Sequence, residues 1–343
     1  MKICTIIGTR PEIIRLSCII KKLDSLCEHS MIYTGQNSDP NLSDIFFKDL
    51  GLRQPDYWYR PTSTIFYEQI GEIFINVVNK VKEISPDKVL ILGDTNSCLI
   101  ALMIERLGIP VYHMEAGNRC FDLRVPEEIN RRAIDHSCSF NLPYTHRSMH
   151  NLLAEGIHQS KIFVCGNPIF EVMLSNGLVL DNNNISKSNN CLMTLHRSEN
   201  MVHMQEIINT ISENYNGKII FPMHPKTKDN IKFKMPSNIE ILPPVSFTKM
   251  LSFYNNCDFI ITDSGTVQEE ACIIRKKCVI VRASTERPEI IEQGGTVVCG
   301  RDKSDIKRAI NIINRPVSIS VPDEYLKTNV SDIVVNILLG GAV

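Results

Sequence analysis

The chain has 343 residues, 43% of them hydrophobic, and a formal net charge of −1 with the two signs interspersed. Its length exceeds the roughly 250–300 residues that one core serves, so two domains are expected. The charge balance offers no field for nucleic acid or an anionic membrane, and no apolar run reaches the roughly 20 residues of a membrane span, which leaves small molecules and other subunits as partners. The first apolar segment, Met1-Lys2-Ile3-Cys4-Thr5-Ile6-Ile7-Gly8, is too short for a signal peptide and ends in Gly, so a cytoplasmic protein is expected. Short Ile- and Val-rich runs at 3–7, 30–34, 88–92, 109–113, 139–142 and 161–165 predict strands. Helices are expected over 11–24 and over 66–84, where Ile70, Ile73, Phe74, Val77, Val78 and Val81 recur at helical spacing. Together they predict a first doubly wound, Rossmann-like domain over 1–168. After Gly166-Asn167-Pro168 and one helix, the polar, Asn-rich stretch 181–190 reads as a hinge. The pattern then restarts, with strands near 191–195, 218–222, 239–242, 258–262, 278–281 and 296–299 and helices over 201–213 and 265–274. This predicts a second Rossmann-like domain over 169–321, both domains being α/β, and an amphipathic C-terminal helix within about 322–343 that could pack back on the first. Twelve cysteines, none spaced Cys-x-x-Cys and most in apolar runs, read as reduced buried thiols.

The densest chemistry lies between His113 and Arg131. Glu115 falls just past the run Ile109-Pro110-Val111-Tyr112, at a strand's carboxyl end where open α/β sheets bind ligands, and Glu127 follows Pro126 at a helix start. Two carboxylates entering one site from different elements suit acid–base work on opposite faces of a carbon; a macrodipole charge plus a loop salt bridge is the plainer alternative. Asp94, after the strand 88–92, either caps the next helix or adds a third carboxylate. In Gly8-Thr9-Arg10-Pro11-Glu12, Thr9 can cap and Pro11 suits an early helical position, so a helix N-terminus with Arg10 beside it favours an anion. The motif lacks the Gly-x-Gly-x-x-Gly pattern of a dinucleotide loop. A second helix start, Asp263-Ser264-Gly265-Thr266, could hold a diphosphate on its N–H groups, with Glu270 two turns in positioned for ribose hydroxyls. His196 with Arg197, and His224, also follow strands. Metal ligation fits poorly, there being no His-x-x-x-His pair or Cys cluster.

Taken together, Gly8-Thr9-Arg10-Pro11-Glu12, Gly93-Asp94-Thr95, His113-Met114-Glu115-Ala116-Gly117, Pro126-Glu127-Glu128, His196-Arg197, Asp263-Ser264-Gly265 and Glu286-Arg287-Pro288-Glu289 resemble the non-hydrolysing UDP-N-acetylglucosamine 2-epimerase family over nearly the whole chain. The resemblance implies two facing Rossmann-like domains of the glycosyltransferase-B type, a UDP-sugar between them, a homodimer, and neither nicotinamide nor metal. It implies inversion of C2 by elimination of UDP to a 2-acetamidoglycal and re-addition. Asp94, Glu115, Glu127 and His196 are then expected to be catalytic. Arg10, Arg15, Arg119, Arg131, Arg197, His224, Ser264, Gly265, Thr266, Glu270 and Arg287 are expected around the substrate. Three departures stand out: Arg15 where the family commonly has Lys, Gly35-Gln36-Asn37 for Gly-Gln-His, and Asn118 for Leu in Ala-Gly-Leu-Arg. An Arg, permanently charged, cannot carry a proton. The variants resemble the branch that forms UDP-N-acetyl-L-fucosamine from UDP-2-acetamido-2,6-dideoxy-L-talose. A hydrolysing epimerase, a glycosyltransferase of the same fold and a UDP-sugar-binding module without catalysis are the alternatives.

Overall fold

The computed structural model describes residues 1–36, 40–63, 65–178, 188–223, 227, 228 and 231–341. They divide into two units, Met1–Val172 with Glu324–Val343, and Met173–Asp323.

In unit 1 the strands β1 (Lys2–Ile7), β2 (Glu28–Tyr33), β3 (Tyr57–Trp58), β4 (Lys88–Leu92), β5 (Val111–Met114) and β6 (Phe140–Leu142) form one sheet in the order β3-β2-β1-β4-β5-β6. Every pairing is parallel. Such a sheet is covered on both faces, which is why β1 and β4 read as continuous apolar runs rather than alternating ones. The order reverses between β1 and β4, so ligand binding is expected beyond their carboxyl ends. Helix α1 (Arg10–Leu26) buries Ile13, Leu16, Ile19, Ile20 and Leu23. The helix Phe66–Ile84 turns Ile73, Val77 and Val81 into the core that also holds Cys4, Ile6, Val89 and Ile91. Full burial of each such side chain contributes about 1.5–3 kcal/mol. The C-terminal helix is shorter than its pattern predicts, Val330–Leu339, after a 3-10 turn at Asp323–Tyr325. It packs on α1, and Lys88 Nζ donates to the carbonyls of Leu338 at 2.6 Å and Gly340 at 3.0 Å. The segment 161–165 forms no strand: Ile162 makes one isolated bridge to Asn141. The Cys165 N–H reaches the carbonyl of Pro143, a residue with no N–H to donate in return, so the ladder stops there.

Unit 2 repeats the plan. Its strands β7 (Asn190–Thr194), β8 (Lys218–Pro222), β9 (Ile239–Leu242), β10 (Phe259–Thr262), β11 (Lys277–Ile280) and β12 (Thr296–Val298) run β12-β11-β10-β7-β8-β9, all parallel. Numbered within the unit, this is the same Rossmann order, with the reversal between β7 and β10. The helices Met204–Asn214 and Lys303–Ile313 pack on each other, and Ile207, Ile208, Ile211, Ile306 and Ile310 join the core beneath them. The expected helix over 201–213 is two, Ser198–Met201 and Met204–Asn214. The hinge expected over 181–190 lies largely outside the described residues, as does His224. Among the described residues, no helix is long and apolar enough to cross a membrane.

Candidate active site

Unit 1 gathers acid and base groups at the carboxyl ends of β1, β4 and β5. Glu115, the residue after β5, has a left-handed backbone with φ 65°. That conformation is costly for a residue with a side chain and persists only where its surroundings impose it. They do. Gly117 follows with φ 78°, and a Cβ there would lie 2.2 Å from the Ser148 carbonyl oxygen, so only glycine lets the loop press onto the helix His146–Ala154. Asp135 takes the Gly117 N–H at 3.1 Å and faces His113 at 2.9 Å and Arg119 at 2.7 Å. On the other side His113 Nε2 meets the Gly93 carbonyl at 2.8 Å, tying the loop of Asp94 to that of Glu115.

Glu115 itself is ion-paired with Arg15, whose buried guanidinium also lies 5.8 Å from the Tyr144 ring centroid. The Tyr144 hydroxyl reaches Glu115 Oε2 at 3.4 Å. Asp94 does not cap the following turn: its Oδ2 accepts from Arg131 at 2.6 and 3.0 Å, and Asn130 donates to its carbonyl at 3.0 Å. Glu127 is four residues before Arg131 on the helix Pro126–Ser137, and i, i+4 residues share a face, so Glu127 stands on the face that meets Asp94. Arg131 is thus a partner of Asp94 and Glu128 before it is anything to a substrate.

Two sequence expectations change here. Arg119, expected at the substrate, is turned inward between Asp135 and Glu155, its side chain without solvent exposure, because two buried carboxylates claim its fork. The start of α1, expected to hold an anion, is closed by its own Glu12, which takes the Gly8 N–H at 2.6 Å and the Thr9 hydroxyl at 2.8 Å. Arg10, beside it, lies over the Phe46 ring at 5.4 Å. Burial pushes the Glu12 carboxyl up to about 7, outweighing its hydrogen bonds from Gly8, Thr9 and Thr95. Its ordinary value is 4.5, so folding takes up a proton between the two. The stability this group contributes is complete below about 4.5 and lost as pH rises through about 7. Denaturant midpoints measured at about pH 5 and about pH 8 should fall with pH in the wild type, and Glu12→Gln should flatten the difference.

The sequence missed Glu128, Asp135 and Gln36. Glu128 accepts from the N–H groups of Cys120 at 3.0 Å and Phe121 at 3.2 Å and from Arg131 and Arg132. Its i, i+3 and i, i+4 spacing to those arginines was the available signal. Gln36 accepts from Ser97 N–H at 2.9 Å, fastening the turn after β4.

In unit 2 the hub is Asp263, fully buried after β10, which accepts from the N–H groups of His196 and Arg197 at 3.0 Å each and from Asn200 at 3.0 Å. It thereby fixes the His196–Arg197 turn beside the helix Gly265–Ile273. A Cβ at Gly265 would lie 2.8 Å from both Arg287 Nη1 and Glu286 Oε1, so glycine admits those groups to the helix start. Ser264 and Thr266 share a 3.0 Å hydroxyl contact at that start. Arg287 is buried in ion pairs with Glu269 and Glu286. Glu270, two turns into the helix, receives the Tyr254 hydroxyl.

Two Rossmann-like parallel sheets, one with carboxylates at its strand ends and one with a cationic turn beside a glycine-opened helix start, make this an α/β protein with its polar groups gathered where such folds bind ligands. The chain belongs to the UDP-N-acetylglucosamine 2-epimerase family, whose model matches residues 21–339. It is 38% identical over 337 residues to the UDP-N-acetylglucosamine 2-epimerase of Methanocaldococcus jannaschii, covering 91% of this chain and 92% of that one. It is 32% identical to the UDP-2,3-diacetamido-2,3-dideoxy-D-glucuronate 2-epimerase of Pseudomonas aeruginosa, covering 88% of each. The crystal structure of the M. jannaschii enzyme in complex with UDP-GlcNAc and UDP superposes with a TM-score of 0.92 at 37% identity, covering 99% of this chain and 100% of that one.

Proposed function

We propose that the protein inverts C2 of a UDP-2-acetamido sugar without hydrolysing it, interconverting UDP-GlcNAc and its C2 epimer, and that it works as a homodimer. The observation that carries this reading is the clustering of Asp94 and Glu115 at adjoining strand ends, each on a buried arginine, with Glu127 on the neighbouring helix face. The C2–H bond is not next to a carbonyl carbon and is scarcely acidic, so its cleavage must be coupled to departure of UDP from C1. One carboxylate takes the C2 proton, the C–H pair becomes the C1=C2 bond, and the C1–O bond breaks toward the diphosphate. Protonation of C2 from the opposite face, with return of a diphosphate oxygen to C1, gives the epimer. Asp94, Glu115 and Glu127 supply the carboxylates such a step needs. In unit 2, His196, Arg197, Ser264, Gly265 and Thr266 would hold the diphosphate, where cations and helix N–H groups stabilise the leaving charge, and Glu270 the ribose. Arg119 and Arg287 act by holding the two loops.

A second reading, on UDP-2-acetamido-2,6-dideoxy-L-talose, is favoured by Asn118, which stands in the Glu115 loop and touches that carboxylate. Incubation with each UDP-sugar, followed by product separation, tests both. A UDP-linked epimer supports the reading; free 2-acetamido sugar plus UDP means a hydrolase; binding without conversion means a module that has lost catalysis.

A further inference from the structure

We propose that Asn118 is a positioning residue for Glu115, the last member of a buried hydroxyl–amide relay that aims a hydrogen bond at one carboxylate oxygen while Arg15 and Tyr144 take the other. The inference rests on the reading of Glu115 as a proton-transfer group. Asn118 is 6% exposed; its Nδ2 donates to Glu115 Oε1 at 3.3 Å and its Oδ1 accepts from Ser148 Oγ at 3.0 Å. Ser148 Oγ is in turn 3.1 Å from Thr145 Oγ1, which accepts the Ser148 N–H at 3.1 Å.

The direction of the relay follows from its end. A carboxylate paired with an arginine is acceptor-only, so the amide must present Nδ2 to Glu115 and Oδ1 to Ser148. The Ser148 hydroxyl must then donate to Oδ1, and the Thr145 hydroxyl, whose lone pair holds the Ser148 N–H, is left to donate to Ser148. All three donors point toward Glu115, and bonds aligned in this way reinforce one another. Glu115 is therefore gripped at both oxygens, Oε1 by the relay and Oε2 by Arg15 and Tyr144, which fixes the plane of its carboxylate.

The loop's path does not depend on this side chain. Asp135 holds the Gly117 N–H, Asn151 donates to the Gly117 carbonyl at 2.9 Å, and Arg119 donates to the Asn118 carbonyl at 2.7 Å. Asn118→Leu, which keeps the branched four-atom outline of the side chain without its polar atoms, should thus leave the backbone in place and release the carboxylate. For a group that must meet one hydrogen on one carbon, lost orientation lowers kcat by about tenfold and leaves KM within about twofold.

The test has two arms on the full-length protein. In the first, the side-chain amide resonance of Asn118, identified by its loss in Asn118→Leu, is followed in Ser148→Ala and Glu115→Gln. The relay requires it to move in both, and a resonance blind to both overturns the inference while leaving the reading of Glu115 intact. In the second, kcat and KM are measured for Asn118→Leu and Ser148→Ala after each is shown by circular dichroism to be folded. A fall in kcat at steady KM in both, larger for Asn118→Leu, supports the inference; unchanged kcat, or a loss carried by KM, overturns it. Should the amide respond to Glu115 while wild-type protein moves no proton at C2 of either UDP-sugar, the reading of Glu115 falls and the inference with it.

Discussion

Glu115→Gln is expected to lower the rate of C2 proton exchange by about 10²–10⁴-fold, the range for loss of a positioned acid–base group. The amide keeps the shape of the side chain but cannot take a proton. It also leaves Arg15, 2% exposed, without the carboxylate it pairs with. Breaking a buried ion pair by removing one member costs about 3–5 kcal/mol, so the variant should also unfold at lower denaturant. Arg15→Met in the Glu115→Gln background removes the other member of the pair and should raise the midpoint again but not the exchange. Proton NMR of the sugar nucleotide and urea titration read the two effects separately, and full exchange in Glu115→Gln would remove that residue from the chemistry.

The second large effect concerns stability. Asp135 has no exposure and meets His113, Arg119 and the Gly117 N–H. Burial pushes its carboxyl up, but His113 and Arg119 together outweigh burial and hold it below the ordinary carboxylate value of 3.8. A depressed carboxylate stabilises the fold above its unfolded value and ceases to do so as pH falls through its folded one, so this contribution disappears only below about pH 4. Asp135→Ala should lower unfolding stability by about 3–5 kcal/mol near pH 7, since Arg119 and His113 lose their shared partner. Because the same carboxylate braces the left-handed turn at Glu115, activity should fall with it even at temperatures where the variant is folded. A variant as stable and active as wild type would mean that Glu155 alone satisfies Arg119. The Asp135→Asn variant should show a shallower loss of stability below about pH 4.

Much of the fold lies open in the sequence because its elements are local and its sheets are parallel. Strands buried on both faces write themselves as runs such as Lys88-Val89-Leu90-Ile91-Leu92, and Pro126 marks its helix start by having no N–H to satisfy. Placing Glu115 one residue past a strand needs nothing more. What the chain hides is which distant group meets which. Arg15 and Glu115 are a hundred residues apart, and no periodicity says that α1 brings the arginine to that loop. Arg119 illustrates the cost: the resemblance implies a substrate contact there, and the fold places Asp135 and Glu155 on either side of it. Glu12 is the converse, a first-turn carboxylate to which the sequence assigns no role and which is buried over its own helix start. Failure at 161–165 has another cause, since an apolar run promises burial but not a partner able to complete a ladder.

Reversible elimination at C2 exchanges the C2 proton with solvent, and solvent deuterium records that exchange. Wild-type protein incubated in deuterium oxide with UDP-GlcNAc, and separately with UDP-2-acetamido-2,6-dideoxy-L-talose, should return at least one of these sugar nucleotides and its epimer carrying deuterium at C2, still joined to UDP. Recovery of both with the C2 proton intact would rule out elimination at C2.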